Sequence, residues 1–161
     1  MNSIAIIAID SGQVQRTTLQ GSPLRKENFM KIKVLVVEPL KHPQLKEIDT
    51  SFESVKKIVG SGIEEAYSED YSVAIVCNSE GKVKGLPLNR AIYAKDGVLI
   101  DIIAGTFFIC GVGEDENEDE DLGEDEYGYV SLPPDMIEKY KKLFWNPQRF
   151  FLNRNGNVVV I

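Results

Sequence analysis

Residues 88–103 read LNRAIYAKDGVLIDII. Two apolar runs, Leu88 to Ala94 and Val98 to Ile103, flank Asp96-Gly97. The glycine supplies the positive φ that a tight hairpin turn needs, so the stretch predicts a pair of antiparallel strands. With the turn at 96–97, residues whose numbers sum to about 193 face each other, which sets Asp101 opposite Ile92 and makes Arg90 its diagonal neighbour.

The same grammar runs outward in both directions. Upstream, Tyr71 to Asn78 is apolar on both faces, since Val73, Ile75 and Cys77 alternate with Ala74, Val76 and Asn78. That pattern belongs to a central strand. Ser68-Glu69-Asp70 joins it to a strand from Gly62 to Tyr67. Downstream, Gly105 marks a bend before Thr106-Phe-Phe-Ile-Cys110. Lys31 to Glu38 reads as a strand closed by Pro39, and Asn155-Gly156 predicts a last hairpin between Phe150–Arg154 and Asn157–Ile161.

Two segments have helical spacing. Thr50-Ser-Phe-Glu53 has the form of a capping box, Phe52, Val55, Ile58 and Val59 share one face, and Gly60 stops the helix. Ser131 and the prolines at 133 and 134 suit a second helix start, with Ile137, Tyr140, Leu143 and Phe144 as its buried stripe. The expected fold class is α+β: a mostly antiparallel sheet of about seven or eight strands with two short helices.

A chain of 161 residues fits one domain and buries a core without staples. The domain is expected over 30–161, with an acidic loop at 113–127. Residues 1–29 read as an N-terminal arm or accessory strand. Cys77 and Cys110 make no disulfide framework, which points to a reducing, cytoplasmic compartment. No secretory leader is evident, and no apolar run approaches the roughly 20 residues that span a bilayer, so no membrane partner is expected.

The net charge of −7 conceals an asymmetry. Ten acids and no base lie between Glu114 and Glu126; without them, 15 acids face 18 bases. Glu114, Asp115, Glu116, Glu118, Asp119, Glu120, Asp121, Glu124, Asp125 and Glu126 read first as a hydrated stretch, because dense like charges repel. Read as function, they imitate the phosphates of DNA and would occupy the basic groove of a nucleic-acid enzyme. Charge repulsion argues against DNA itself as a ligand. A calcium loop starting at Asp115 fails at Glu120, where the turn glycine should stand.

Catalytic chemistry finds few candidates. A Cys–His nucleophile needs His42 beside Cys77 or Cys110, and both cysteines fall in apolar strands where inert thiols are common. The chain lacks four nitrogen or sulfur zinc ligands, and no phosphate-binding glycine loop is present. The expectation is therefore a non-enzyme with no catalytic set, cofactor or metal. A hydrolase using carboxylates such as Asp101 stands as an alternative. Phe144, Trp145, Phe150 and Phe151 read as core before a base-stacking platform.

The most site-like segment runs from Cys77-Asn-Ser-Glu-Gly81 through Gly85-Leu-Pro-Leu-Asn-Arg90. Its glycines allow close backbone approach, Asn89 offers both donor and acceptor, and Arg90 has the geometry to clamp a phosphate. Asn78, Lys82, Gly85, Asn89 and Arg90 are the candidate ligand-binding residues for a nucleotide-type anion. On the same evidence of spacing, the segment also reads as an ordinary loop with Asp101 as Arg90's structural partner.

Three segments, Val36-Val-Glu-Pro39 with Glu47-Ile-Asp49, Cys77 to Arg90, and Asp101-Ile-Ile-Ala-Gly-Thr-Phe-Phe-Ile109, together resemble the domain-of-unknown-function family numbered 3846. The resemblance covers residues 31 to 145 or so. It implies a small protein of a bacterial phage, plasmid or other mobile element. In that setting the expected role is a non-enzymatic binding module for counter-defence or host takeover. Its partner would be a sequestered nucleotide or a host defence protein, and antiparallel sheets of this kind also pair edge to edge into homo-oligomers.

Overall fold

The computed structural model describes residues 7–8, 14–15, 29–113 and 128–161. The ten acids from Glu114 to Glu126 lie outside the described residues, as does most of the predicted arm. Within the arm, β1 (Ile7–Ala8) pairs antiparallel with β2 (Val14–Gln15).

The body is one antiparallel sheet. β3 (Lys31–Val37) and β4 (Gln44–Asp49) form a hairpin at one edge, and β5 (Ile63–Ala66) and β6 (Val73–Asn78) form another at the opposite edge. β9 (Phe107–Val112) lies between them, giving the order β4-β3-β9-β6-β5. β6 is buried along its whole length, as its two-sided apolar pattern predicts. The α+β class read from the sequence holds.

Both faces of the sheet are covered. α1 (Phe52–Val59) crosses one face and buries Val55 and Val59 with Val34, Val36, Val76 and Phe108. The other face packs Leu35, Ile75, Phe107 and Ile109 under α2 (Pro134–Leu143) and a separate hairpin of β7 (Leu88–Tyr93) and β8 (Leu99–Ala104). Burying an apolar side chain of this size contributes roughly 1.5–3 kcal/mol, so the three layers hold through their two interfaces. The C-terminal strands, β11 (Phe150–Leu152) and β12 (Val158–Val160), form the hairpin predicted around Asn155-Gly156.

β3 pairs with β9 only from Leu35 onward. Nearer its start, β10 (Tyr129–Val130) and the residues after it take the place beside β9. Lys33 donates its N–H to Ser131 Oγ at 3.0 Å, and Leu132 donates to the Lys33 carbonyl at 2.9 Å. Gly111 is what lets the chain in. A Cβ there would stand 2.7 Å from the Ser131 carbonyl oxygen.

Three local expectations need correction. The cap of α1 is Ser51, one residue later than the predicted box; its Oγ accepts from Ser54 N at 3.2 Å, while Asp49, and not Glu53, braces the cap from outside. Leu143, predicted in the buried stripe of α2, is 63% exposed because the helix turns Tyr140 and Phe144 inward and leaves Leu143 on a rim. Phe151 is likewise exposed, since the last hairpin does not fold into the core.

Candidate functional site

α1 ends against the start of the 78–87 loop. Gly60, at φ +91°, turns the chain, and Gly60 and Gly62 bring it so close that added Cβ atoms would meet Asn78 Nδ2 at 2.8 Å and Ser79 Oγ at 2.6 Å. Asn78 donates to the Val59 carbonyl at 3.0 Å and accepts from Glu80 N at 2.8 Å. It thereby satisfies a helix-end carbonyl and starts the loop. The loop returns over the end of β8, where Leu86 N donates to Gly81 O at 2.9 Å and Gly105 N to Pro87 O at 2.7 Å.

Between these pieces lies an open cleft of about 570 Å³. Its walls carry Lys56 and Lys57 from α1 and Lys84 from the loop, with Asn78, Gly105 and Thr106 deeper in, and among the described residues no carboxylate lines it. Lys84 is held in place by Ser61 Oγ at 2.9 Å and by Glu80 at 2.7 Å. That ion pair holds the exposed Glu80 carboxyl below its usual range. Lys56 lies 5.7 Å over the Phe52 ring. The cluster has the sign of an anion site.

The five residues singled out by sequence do not converge on this cleft. Asn78 alone lines it. Lys82 turns away to pair with Asp101. Gly85, at φ +69°, sits at an outer turn with open space around it. Asn89 is fully buried and donates Nδ2 to the carbonyls of Val37 and Gly105, at 2.9 and 2.8 Å.

Arg90 departs furthest from its expected role. It is 1% exposed, and its guanidinium donates to the carbonyls of Phe144, Asn89 and Lys41 and to Asn89 Oδ1. Burial pushes its pKa down, but a guanidinium stays charged. A side chain so enclosed ties the end of α2 to the β3–β4 loop; it does not clamp a ligand. The predicted Arg90–Asp101 partnership is also replaced. Asp101 does face Ile92, as the turn arithmetic required, yet Lys82 takes its carboxylate.

The cysteines and the histidine lie apart in function. Burial pushes the Cys77 thiol up to about 12, helped by Glu64, and pushes Cys110 up as well. His42 stacks on Trp145 at 4.2 Å and bonds through Nδ1 to the Trp145 carbonyl. Among the described residues no group of three or more histidine, cysteine or carboxylate side chains is placed to hold a metal ion, and no helix is long and apolar enough to cross a membrane.

A second concavity, about 260 Å³, opens on the other face between β7, the 67–70 turn and α2. Its apolar walls include Ile75, Ile92 and Phe144. At one end Asp70 accepts from Lys139 Nζ and from Tyr140 Oη, each at 2.7 Å. Lys139 and then Tyr140 hold the Asp70 carboxyl low, while burial raises the Tyr140 phenol to about 12.

Lys56 and Lys57 were missed by sequence reading, since two lysines in a last helical turn also serve the helix dipole and carry no separate signal. No curated protein and no solved structure matches the chain. One family model, described as a domain of unknown function (DUF3846), matches residues 30–145, which is the body from the start of β3 to just past α2.

Proposed function

The chain belongs to the DUF3846 family, and from there we propose that it is a non-enzymatic binding module whose basic cleft takes a phosphate-bearing, nucleotide-type anion. In the cytoplasm of a bacterial host, such a module serves a phage or mobile element by sequestering the ligand. The observation that carries this reading is the lining itself: three lysines from two segments, of which Lys84 alone has a carboxylate beside it, Glu80, and no carboxylate in the lining among the described residues. Lysine ammonium groups are compact point charges suited to phosphate oxygens. Sequestration needs affinity and no chemistry, which suits buried thiols and a histidine spent on Trp145.

Native mass spectrometry against inorganic pyrophosphate, mononucleotides, dinucleotides and cyclic dinucleotides tests it. A stoichiometric, unmodified adduct is expected with one class. It should disappear in Lys57→Glu/Lys84→Glu and persist in Lys82→Ala. An unmodified apo mass across the whole panel, or an adduct indifferent to the double substitution, removes the cleft from consideration. Turnover of the ligand would make the protein an enzyme.

A further inference from the structure

An open strand edge and an unpaired apolar hairpin sit in the same molecule. Ala91 N donates to Gln148 Oε1 at 2.7 Å, and Ala94 N donates to Val98 O at 2.8 Å. Residues of an antiparallel strand alternate between facing the partner and facing away. Ala94, Ile92 and Arg90 therefore face β8, while Ala91 and Tyr93 turn their backbone outward, into the second concavity. Gln148 covers the Ala91 N–H, leaving the Ala91 carbonyl and both backbone groups of Tyr93 without a strand beside them among the described residues.

The other edges are guarded. β4 carries Lys46 and Glu47, and β5 carries Glu64 and Glu65. On β8, Asp101 folds its own carboxylate onto the Ile102 N–H at 2.7 Å. Charges and capping are how edges avoid partners; on β7 the Gln148 cap stops at the Ala91 N–H, and among the described residues the Tyr93 N–H and the Ala91 and Tyr93 carbonyls have neither device.

The hairpin of β11 and β12 is the complementary piece. It pairs with no other strand among the described residues. Phe151 and Val159 lie on one face, Leu152 and Val158 on the other, and all four are exposed, Leu152 to 73%. A lone two-stranded hairpin is marginal in water, and one apolar on both faces needs cover. Residues 146–161 include Arg149 and Arg154 and no acidic side chain. The rim of the concavity presents Glu69, exposed and in no ion pair among the described residues.

We propose that a second copy of this chain docks here, its C-terminal hairpin adding to the Ala91–Tyr93 edge with its arginines toward Glu69. The exchange is reciprocal, so each copy gives a hairpin and receives one, as a two-fold interface requires. Leu143, left exposed on α2, then becomes part of the covered wall.

Sedimentation and native mass spectrometry of the full chain decide it. The wild type should be a dimer. Tyr93→Pro removes one outward N–H and no β7–β8 bond, so it should yield a folded monomer, with folding checked by circular dichroism. Glu69→Arg and Arg149→Glu/Arg154→Glu should each weaken the dimer by at least about fivefold. Mixed in equal amounts, the two should recover it, because every joint in the mixed dimer again faces opposite charges. A monomeric wild type at the highest workable concentration, a dimer that survives Tyr93→Pro, or a mixture that fails to recover would each overturn the proposal.

Discussion

Arg90 donates from Nε to the carbonyl oxygen of Phe144 at 3.1 Å, closing α2 onto the β7–β8 hairpin from beneath. The same guanidinium reaches Lys41 O at 2.6 Å, so one side chain joins three elements. Arg90→Met keeps most of the volume and removes every donor. The orphaned carbonyls then lose their partners at about 1–3 kcal/mol each. We expect a loss of roughly 3 kcal/mol or more in urea unfolding. Anion affinity of whatever remains folded should be unchanged, because Arg90 lines neither the basic cleft nor its rim.

Thr50 gives the opposite sign. It is 2% exposed, and its Oγ1 has no hydrogen-bond partner among the described residues. A buried hydroxyl without a partner is destabilising, and valine has nearly the same shape. Thr50→Val should raise stability by about 1 kcal/mol, read as a higher urea midpoint at unchanged slope. Ser51→Ala, next door, should lower it by about 1 kcal/mol, since Ser51 is the cap that accepts from Ser54 N. A cap at Thr50 would reverse both signs.

That contrast shows where sequence reading succeeds and where it stops. Strand alternation, Asp-Gly and Asn-Gly turns and helical stripes are local signals, and they placed β6, both hairpins and the Ile92–Asp101 register. Arg90 and Asn89 looked like ligand groups because a polar residue in a strand near glycines carries no mark of whether its partner is a ligand or a distant carbonyl. Besides Gly105 and each other, their partners are Phe144, Lys41 and Val37, the last three about 50 residues away. Lys56 and Lys57 were invisible for the converse reason: their meaning depends on Lys84 arriving from another segment.

Acid stability should depend on Asp70. Lys139 and Tyr140 lower its folded pKa below the unfolded value, so its contribution is complete above the ordinary aspartate range. As the pH falls below about 4, the unfolded chain takes up the proton first, and stability drains until the folded carboxyl also protonates. Asp49, held low by Ser51, acts in the same direction. Asp70→Asn should therefore cost stability at pH 7 and flatten the acid limb of a melting-temperature profile. An unchanged limb would mean the Lys139 contact contributes nothing in solution.

Two glycines of the 78–87 loop separate packing from backbone strain. At Gly81 an added Cβ would stand 2.6 Å from the Ala104 carbonyl oxygen, which is backbone and cannot swing aside. Gly81→Ala must lift the loop from the end of β8, at a cost of about 1–3 kcal/mol. The lift displaces Lys84 and should weaken the anion adduct with it. At Gly85 the surroundings are open and only the positive φ resists, so Gly85→Ala should cost roughly 1–2 kcal/mol and leave Lys84 and the adduct in place. The pair is measured by unfolding and by adduct intensity on the same samples. Equal loss of adduct from both would show that the loop responds as one flexible unit, and that Lys84 owes its position to no single contact.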